Sequence, residues 1–157
     1  MKIIVLAGGY SPERDVSLSS GSLIANALME RGHEVFFLDP WLGIKAGERV
    51  HYRTREDGLG FAYEIGGETP DLELLGAESG AKKSLIAPGV LEACREADMV
   101  FIALHGSTGE NGQIQAVLEA YGIPHTGSGY TGSLLAMDKN ISKILMRAAG
   151  VATPDWY

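Results

Sequence analysis

The chain has 157 residues, 45% hydrophobic and 21% charged, with 13 Lys plus Arg against 20 Asp plus Glu for a formal charge of −7. That is the make-up of a globular chain large enough to bury its own core, and the length fits one domain or a domain cut from something larger. The acidic balance, with no Lys/Arg run, argues against nucleic-acid or anionic-membrane partners, whose affinity rests on clustered cations.

The run Lys2 to Ala7 is continuously aliphatic and closed by Gly8-Gly9, the signature of a strand buried on both faces of a parallel sheet. It is too short for a secretory leader, and no stretch nears the ~20 apolar residues of a membrane span, so the cytoplasm is the expected location. A helix follows, capped either by Ser11 with Pro12 at its first position or one turn later by Asp15. Its core face is expected at Leu23, Ile24, Ala27 and Leu28, and Gly32 stops it. Glu34 to Asp39 reads as strand two. This β-α-β start implies a right-handed crossover and a doubly wound α/β sheet with ligands outside the carboxyl ends of the strands.

From about Trp41 to Pro88 the pattern weakens, and alternating stretches such as Arg49 to Arg53 and Phe61 to Ile65 suggest a hairpin-like insertion. Regular texture resumes with a helix at Val90 to Glu96, a strand at Met99 to Leu104, a helix at Gln113 to Ala120 and a short strand at Ile123 to His125. A loop at Gly127 to Gly132 leads to a final helix over Ser133 to Ala149. The single Cys94 cannot close an internal disulfide, in keeping with a reducing compartment.

Three places carry possible chemistry. The Gly8-Gly9 loop joins a parallel strand to a helix, so free backbone N–H groups would suit a phosphate or carboxylate, while a tight turn with ordinary caps is the plainer reading. It is not the dinucleotide fingerprint, because Tyr10 and Glu13 stand where the second and third glycines belong. Asp39 could then mimic the ribose-binding acid, or serve as a cap or turn residue. A second carboxyl-end loop, Leu104 to Gly112, holds His105, the histidine most suited to meet a substrate; His33, His51 and His125 read as structural or exposed. The histidines and Cys94 lack zinc-ligand spacing, so no metal site is expected on this chain. In the last helix Lys139 and Lys143 are four apart and share a face, as two solvated lysines or as a cationic patch for phosphates.

Taken together, Gly8-Gly9-Tyr10-Ser11-Pro12-Glu13-Arg14-Asp15-Val16-Ser17-Leu18-Ser19-Ser20-Gly21, Ala103-Leu104-His105-Gly106, Gly109-Glu110-Asn111-Gly112-Gln113-Ile114-Gln115, Ile123-Pro124-His125-Thr126-Gly127-Ser128-Gly129 and Met137-Asp138-Lys139 resemble the N-terminal part of D-alanine:D-alanine ligases. Asn111, Ala116 and His125 depart from the family's usual aspartate, glycine and tyrosine. The resemblance implies an open, mostly parallel sheet with helices on both faces, a Rossmann-like domain over 1–157 preceding absent ATP-grasp domains. It also implies a ligase that activates one D-alanine as an acyl phosphate with ATP and Mg²⁺, joins it to a second, and feeds peptidoglycan and cell-wall synthesis. Glu13 would hold the first D-alanine's ammonium, His105 would sit beside the reacting carboxylate, Val16 and Ser17 would line the first-substrate pocket, and Lys139 would face the ATP phosphates. The metal and most of ATP would be held by the rest of the ligase chain, so this chain alone should not ligate, and the full enzyme would be a homodimer. The apolar end at Trp156-Tyr157 would be where missing domains pack. A stand-alone module binding or sensing a small amino acid is the competing reading, and a nucleotide-dependent oxidoreductase is disfavoured by the missing glycines.

Overall fold

Strand β1 (Lys2–Leu6) lies between β2 (Glu34–Leu38) and β3 (Met99–Ile102) in a parallel sheet of order β2-β1-β3. The register sets Ile4 beside Phe36 on one side and Val100 on the other. The computed structural model describes residues 1–78 and 84–156; residues 79–83 of the expected insertion and the terminal Tyr157 lie outside the described residues.

Because successive strand residues point to opposite faces, β1 feeds two cores. Val5 and Ala7 pack with Leu18, Ala25 and Met29 of α1 (Arg14–Glu30). Ile4 and Leu6 pack on the other face with Val90, Ala93 and Cys94 of α3 (Val90–Glu96) and with Ile114 and Leu118 of α5 (Gln113–Ala120). The expected layering, helices on both faces of a parallel sheet, is therefore what the chain adopts. Burial pushes the Cys94 thiol up to about 12, so in the folded chain it is an inert core residue.

Helix α1 uses only part of the face that its large apolar residues suggest: Ile24 and Leu28 pack half-buried against the core, but Ala27 is exposed. Leu23 is 70% exposed, whereas Ser17, Gly21 and Ala25 are buried. The reason is proximity: a Cβ on Gly21 would stand 2.6 Å from the Ala7 Cβ and 3.1 Å from the Phe37 ring. At Gly21 the helix lies so close to the sheet that no side chain fits between them, while Leu18 and Met29 fill the core elsewhere along the contact.

Other elements also differ from expectation. The insertion region forms no hairpin among the described residues. It holds one antiparallel bridge, Val35 to Arg53, a 3-10 turn at Arg55–Asp57 and the short α2 (Leu72–Glu78). Its glycines and charged residues supply turns but no second strand to pair with. The expected strand at Ile123 to His125 contracts to a single parallel bridge between His125 and Val100. After α4 (Ser107–Glu110), the single final helix is divided into α6 (Tyr130–Met137) and α7 (Lys139–Ala148). Asp138 breaks it by taking an extended conformation, and its carboxylate accepts the Ile141 N–H at 2.9 Å as the N-cap of α7. Trp156 does not stand free: its ring N–H donates to Asn140 Oδ1 at 2.7 Å, and the Arg147 guanidinium lies 4.5 Å from its ring centroid.

The carboxyl ends of β1 and β2 are tied together by side chains. Asp39 accepts the Gly9 N–H at 3.1 Å and the Trp41 N–H at 2.8 Å, and forms an ion pair with Arg14. Arg14 in turn donates to the Gly9 carbonyl at 2.9 Å. Gly8 and Gly9 sit at φ +89° and +77°, and a Cβ on Gly8 would meet the Asp39 carboxylate at 2.5 Å, so both conformation and space require glycine there.

Two stability measurements check this packing. Gly21→Val should lower the unfolding free energy by about 1–3 kcal/mol, read as a fall in the urea midpoint at unchanged slope; an unchanged midpoint would mean that α1 can stand off the sheet. Arg14 and Asp39 side chains are each only 12% exposed, and Asp39→Ala, leaving the guanidinium unpaired, should cost about 3 kcal/mol. The Arg14→Ala/Asp39→Ala double variant should lose less than the sum of the singles.

Candidate functional site

The turn from β1 into α1 and the turn after β3 meet because one serine joins them. Ser17 is fully buried; its Oγ accepts the Gly8 N–H at 2.8 Å and donates to the Ala103 carbonyl at 2.7 Å. Helix α1, the end of β1 and the end of β3 are thereby fixed at one point. Both Gly8 and Gly9 N–H groups are consumed, by Ser17 and Asp39, so the loop is not the open anion cradle that its glycines suggest. Asp39 caps the turn at Trp41 and is largely buried, which answers the question of its role without a ribose.

Glu13 is the residue at the start of α1, exposed, with no hydrogen bond or ion pair to its carboxylate among the described residues. Its Oε2 would lie 2.8 Å from a Cβ on Gly106, which places the carboxylate over the turn that follows His105. Gly106, at φ +80°, is crowded there by Glu13 and by the Ser11 hydroxyl, so a side chain would displace the carboxylate. The Ser11 hydroxyl also accepts the Glu13 N–H at 3.1 Å, steadying the first turn.

His105 leaves the sheet just past β3. Its Nε2 is 3.1 Å from Ser20 Oγ, and its Nδ1 is 3.9 Å from Glu110 Oε1, with 39% of the His105 side chain and 45% of the Glu110 side chain exposed. Glu13 and His105, distant in sequence, thus sit on the same crevice. Val16 is 46% exposed one residue before the buried Ser17. Ser17, expected to line a pocket, has its hydroxyl committed to the backbone and acts as the fastening under the site.

An open cleft of about 540 Å³ runs from Glu110 and Gln115 along Thr126 to Ser128 and ends at Ala136 and Met137 of α6. Lys139 follows two residues later on the exposed first turn of α7 and has no ion pair among the described residues. No contact joins it to Glu13 or His105, and none of the three lines the cleft itself, which Glu110 and Met137 do. Lys143 shares its helix, with its ammonium 5.3 Å from the Trp156 ring centroid, so the two lysines differ in their engagement. On the other side of Leu104 a smaller cavity of about 230 Å³ is bounded by Tyr10 and Trp41, whose ring centroids are 4.4 Å apart. A free carboxylate beside an imidazole can hold the two ends of a small zwitterion.

Ser20 and Glu110 were absent from the set singled out in the sequence. Ser20 carried a signal, since it lies one helical turn beyond Ser17 and must share part of its face. The Arg14–Asp39 pair gave none, because 25 residues and a strand separate its partners. Among the described residues no group of three or more His, Cys, Asp or Glu side chains is arranged to hold a metal ion, and no helix is long and apolar enough to cross a membrane.

The chain matches the family model described as D-ala D-ala ligase N-terminus over residues 2–128. It is 42% identical to the D-alanine–D-alanine ligase of Pediococcus pentosaceus across 98% of this chain and 44% of that protein. It is 35% identical to the ligase of the same name from Aquifex aeolicus across 99% of this chain and 38% of that one. Among solved structures it resembles the D-alanine–D-alanine ligase of Bacillus anthracis complexed with ATP, at TM-score 0.63 and 30% identity, covering 100% of this chain and 40% of that one. The Coxiella burnetii ligase gives TM-score 0.61 at 27% identity, over 100% of this chain and 44% of that one. The chain spans less than half the length of the relatives it matches. With the converging Glu13 and His105 turns and this agreement over nearly the whole sequence, the chain belongs to the D-ala D-ala ligase N-terminus family.

Proposed function

We propose that this chain supplies the first-substrate side of an ATP-dependent D-alanine:D-alanine ligase, which activates one D-alanine as an acyl phosphate, releases ADP and joins it to a second D-alanine for peptidoglycan synthesis. The observation that carries the reading is the unpaired Glu13 carboxylate poised over the His105–Gly106 turn. An unneutralised carboxylate beside an imidazole offers an acceptor for an ammonium and a polar partner for a carboxylate, the two ends of an amino acid.

On this reading Glu13 holds the ammonium of the first D-alanine, a charge-assisted contact of roughly 1.5–3 kcal/mol. His105 sits beside the reacting carboxylate, and exposed Val16 bounds the pocket with its methyls while Ser17 fixes the loops behind it. Lys139 faces the phosphates of ATP across the cleft; a cation at the head of a helix suits a polyanion, and its local charge outweighs a net charge of −7 screened over about 8 Å. Positioning and electrostatics of this kind carry most of phosphoryl-transfer catalysis. Mg²⁺ and the second D-alanine belong, on this reading, to ligase segments other than this one, as the family resemblance implies. Dependence on ATP places the enzyme in the cytoplasm, and we assign it the homodimeric state expected from the family resemblance.

The test is made on the protein that carries this chain. D-alanine and ATP should yield ADP and D-alanyl-D-alanine, and D-alanine binding with no ADP release under any condition would favour the sensing module instead. Glu13→Gln should lower kcat/KM for D-alanine by roughly 10- to 100-fold, the loss of one charge-assisted hydrogen bond, with little change in KM for ATP. Lys139→Ala should do the reverse, and equal losses for both substrates in Glu13→Gln would move Glu13 elsewhere.

A further inference from the structure

We infer that Ser20 is a positioning residue that fixes the ring orientation and tautomer of His105, so that Nδ1 is the nitrogen which His105 offers to a bound substrate. Only the kinetic part of this inference rests on the ligase reading; the tautomer stands on the geometry alone.

Ser20 Oγ lies 3.2 Å from the Ser17 carbonyl oxygen, to which it donates, and 3.1 Å from His105 Nε2. A hydroxyl has one proton. With that proton on the Ser17 carbonyl, a lone pair of Oγ faces the ring, and Nε2 must carry hydrogen to complete the contact. The other ring nitrogen, Nδ1, stands 3.9 Å from Glu110 Oε1, beyond hydrogen-bond reach, on a side chain that is 39% exposed. The charged groups facing it are Glu110 of α4 and, over Gly106, Glu13 at the start of α1. Nδ1 is therefore an acceptor when the ring is neutral and becomes a donor toward a carboxylate when it takes up a proton, while Nε2 stays anchored.

The anchor is stiff for a specific reason. Ser17 donates to the Ala103 carbonyl, two residues before His105, and accepts Ser20 through its own carbonyl. Ser17, Ala103, His105 and Ser20 thus form a closed circuit of three hydrogen bonds and a short length of chain. Turning the ring breaks its contact with Ser20 Oγ, and turning Ser20 breaks its bond to the carbonyl of the buried Ser17, which is how a supporting shell holds a functional ring within a narrow range.

The experiment uses long-range ¹H–¹⁵N correlation on [¹⁵N]histidine-labelled protein carrying this chain, at a pH where His105 is neutral. His105 should show the Nε2–H tautomer with Nδ1 unprotonated; Ser20→Ala should give a mixture of tautomers, and Ser20→Thr, which keeps the hydroxyl, should retain the single one. A wild-type His105 in the Nδ1–H form, or a tautomer unchanged by Ser20→Ala, would overturn the inference, and the wild-type spectrum decides even if Ser20→Ala fails to fold. In the ligase assay Ser20→Ala should lower kcat about tenfold, the size of one hydrogen bond, at unchanged KM for ATP, with recovery in Ser20→Thr. The expected spectra without ligase turnover would support the positioning role and count against the ligase reading alone; turnover with the wrong tautomer would do the opposite.

Discussion

The hydroxyl of Ser17 is the point on which the rest of the crevice depends. It bonds at once to the Gly8 N–H and the Ala103 carbonyl, joining the ends of two strands to the helix between them. A buried hydroxyl with both directions used has little freedom, and an apolar replacement would leave two backbone groups unsatisfied in the interior. Glu13 hangs from one of the fixed turns and His105 from the other, so their approach is a product of the backbone rather than of a direct bond between them.

Around that point the chain separates its charges by function. Arg14 and Asp39 neutralise each other and hold Gly9 in place, a structural use of a nearly buried pair. Glu13, one residue before Arg14, is left unneutralised on the surface. Adjacent residues of opposite charge thus have unrelated partners, because the helix start turns Arg14 toward β2 and Glu13 toward β3. Net charge says nothing about this local arrangement.

The parallel sheet and its flanking helices were legible because aliphatic runs such as Lys2 to Ala7 and Met99 to Leu104 admit few other readings. The face of α1 was legible only in part. Hydrophobic periodicity favours Leu23, Ile24, Ala27 and Leu28; Ile24 and Leu28 do pack half-buried against the core, but Leu23 is exposed, and the close approach to Ala7 and Phe37 sets Gly21 at the centre of the contact on grounds of size. Nor was the break at Asp138 read from the sequence, since a residue that caps one helix can interrupt a pattern that is continuous in apolar content. Of the candidate site, Glu13 and His105 lie where carboxyl-end loops were expected to converge. Ser17, expected as pocket lining, has its hydroxyl spent on the backbone, and the contact of Ser20 with His105 and the pairing of Asp39 with Arg14 emerged only when distant segments were brought together.

The division between α6 and α7 carries a mechanical implication. Helix α7 packs on α6, and among the described residues none of its own is buried. The Ser142 hydroxyl reaches back across the break to the Leu135 and Ala136 carbonyls, so Asp138 fixes an angle between the two helices rather than ending their association. The side of α7 that carries Lys139 is therefore set by the angle at Asp138, whereas Glu13 and His105 are set by the sheet and the Ser17 hydroxyl beneath them.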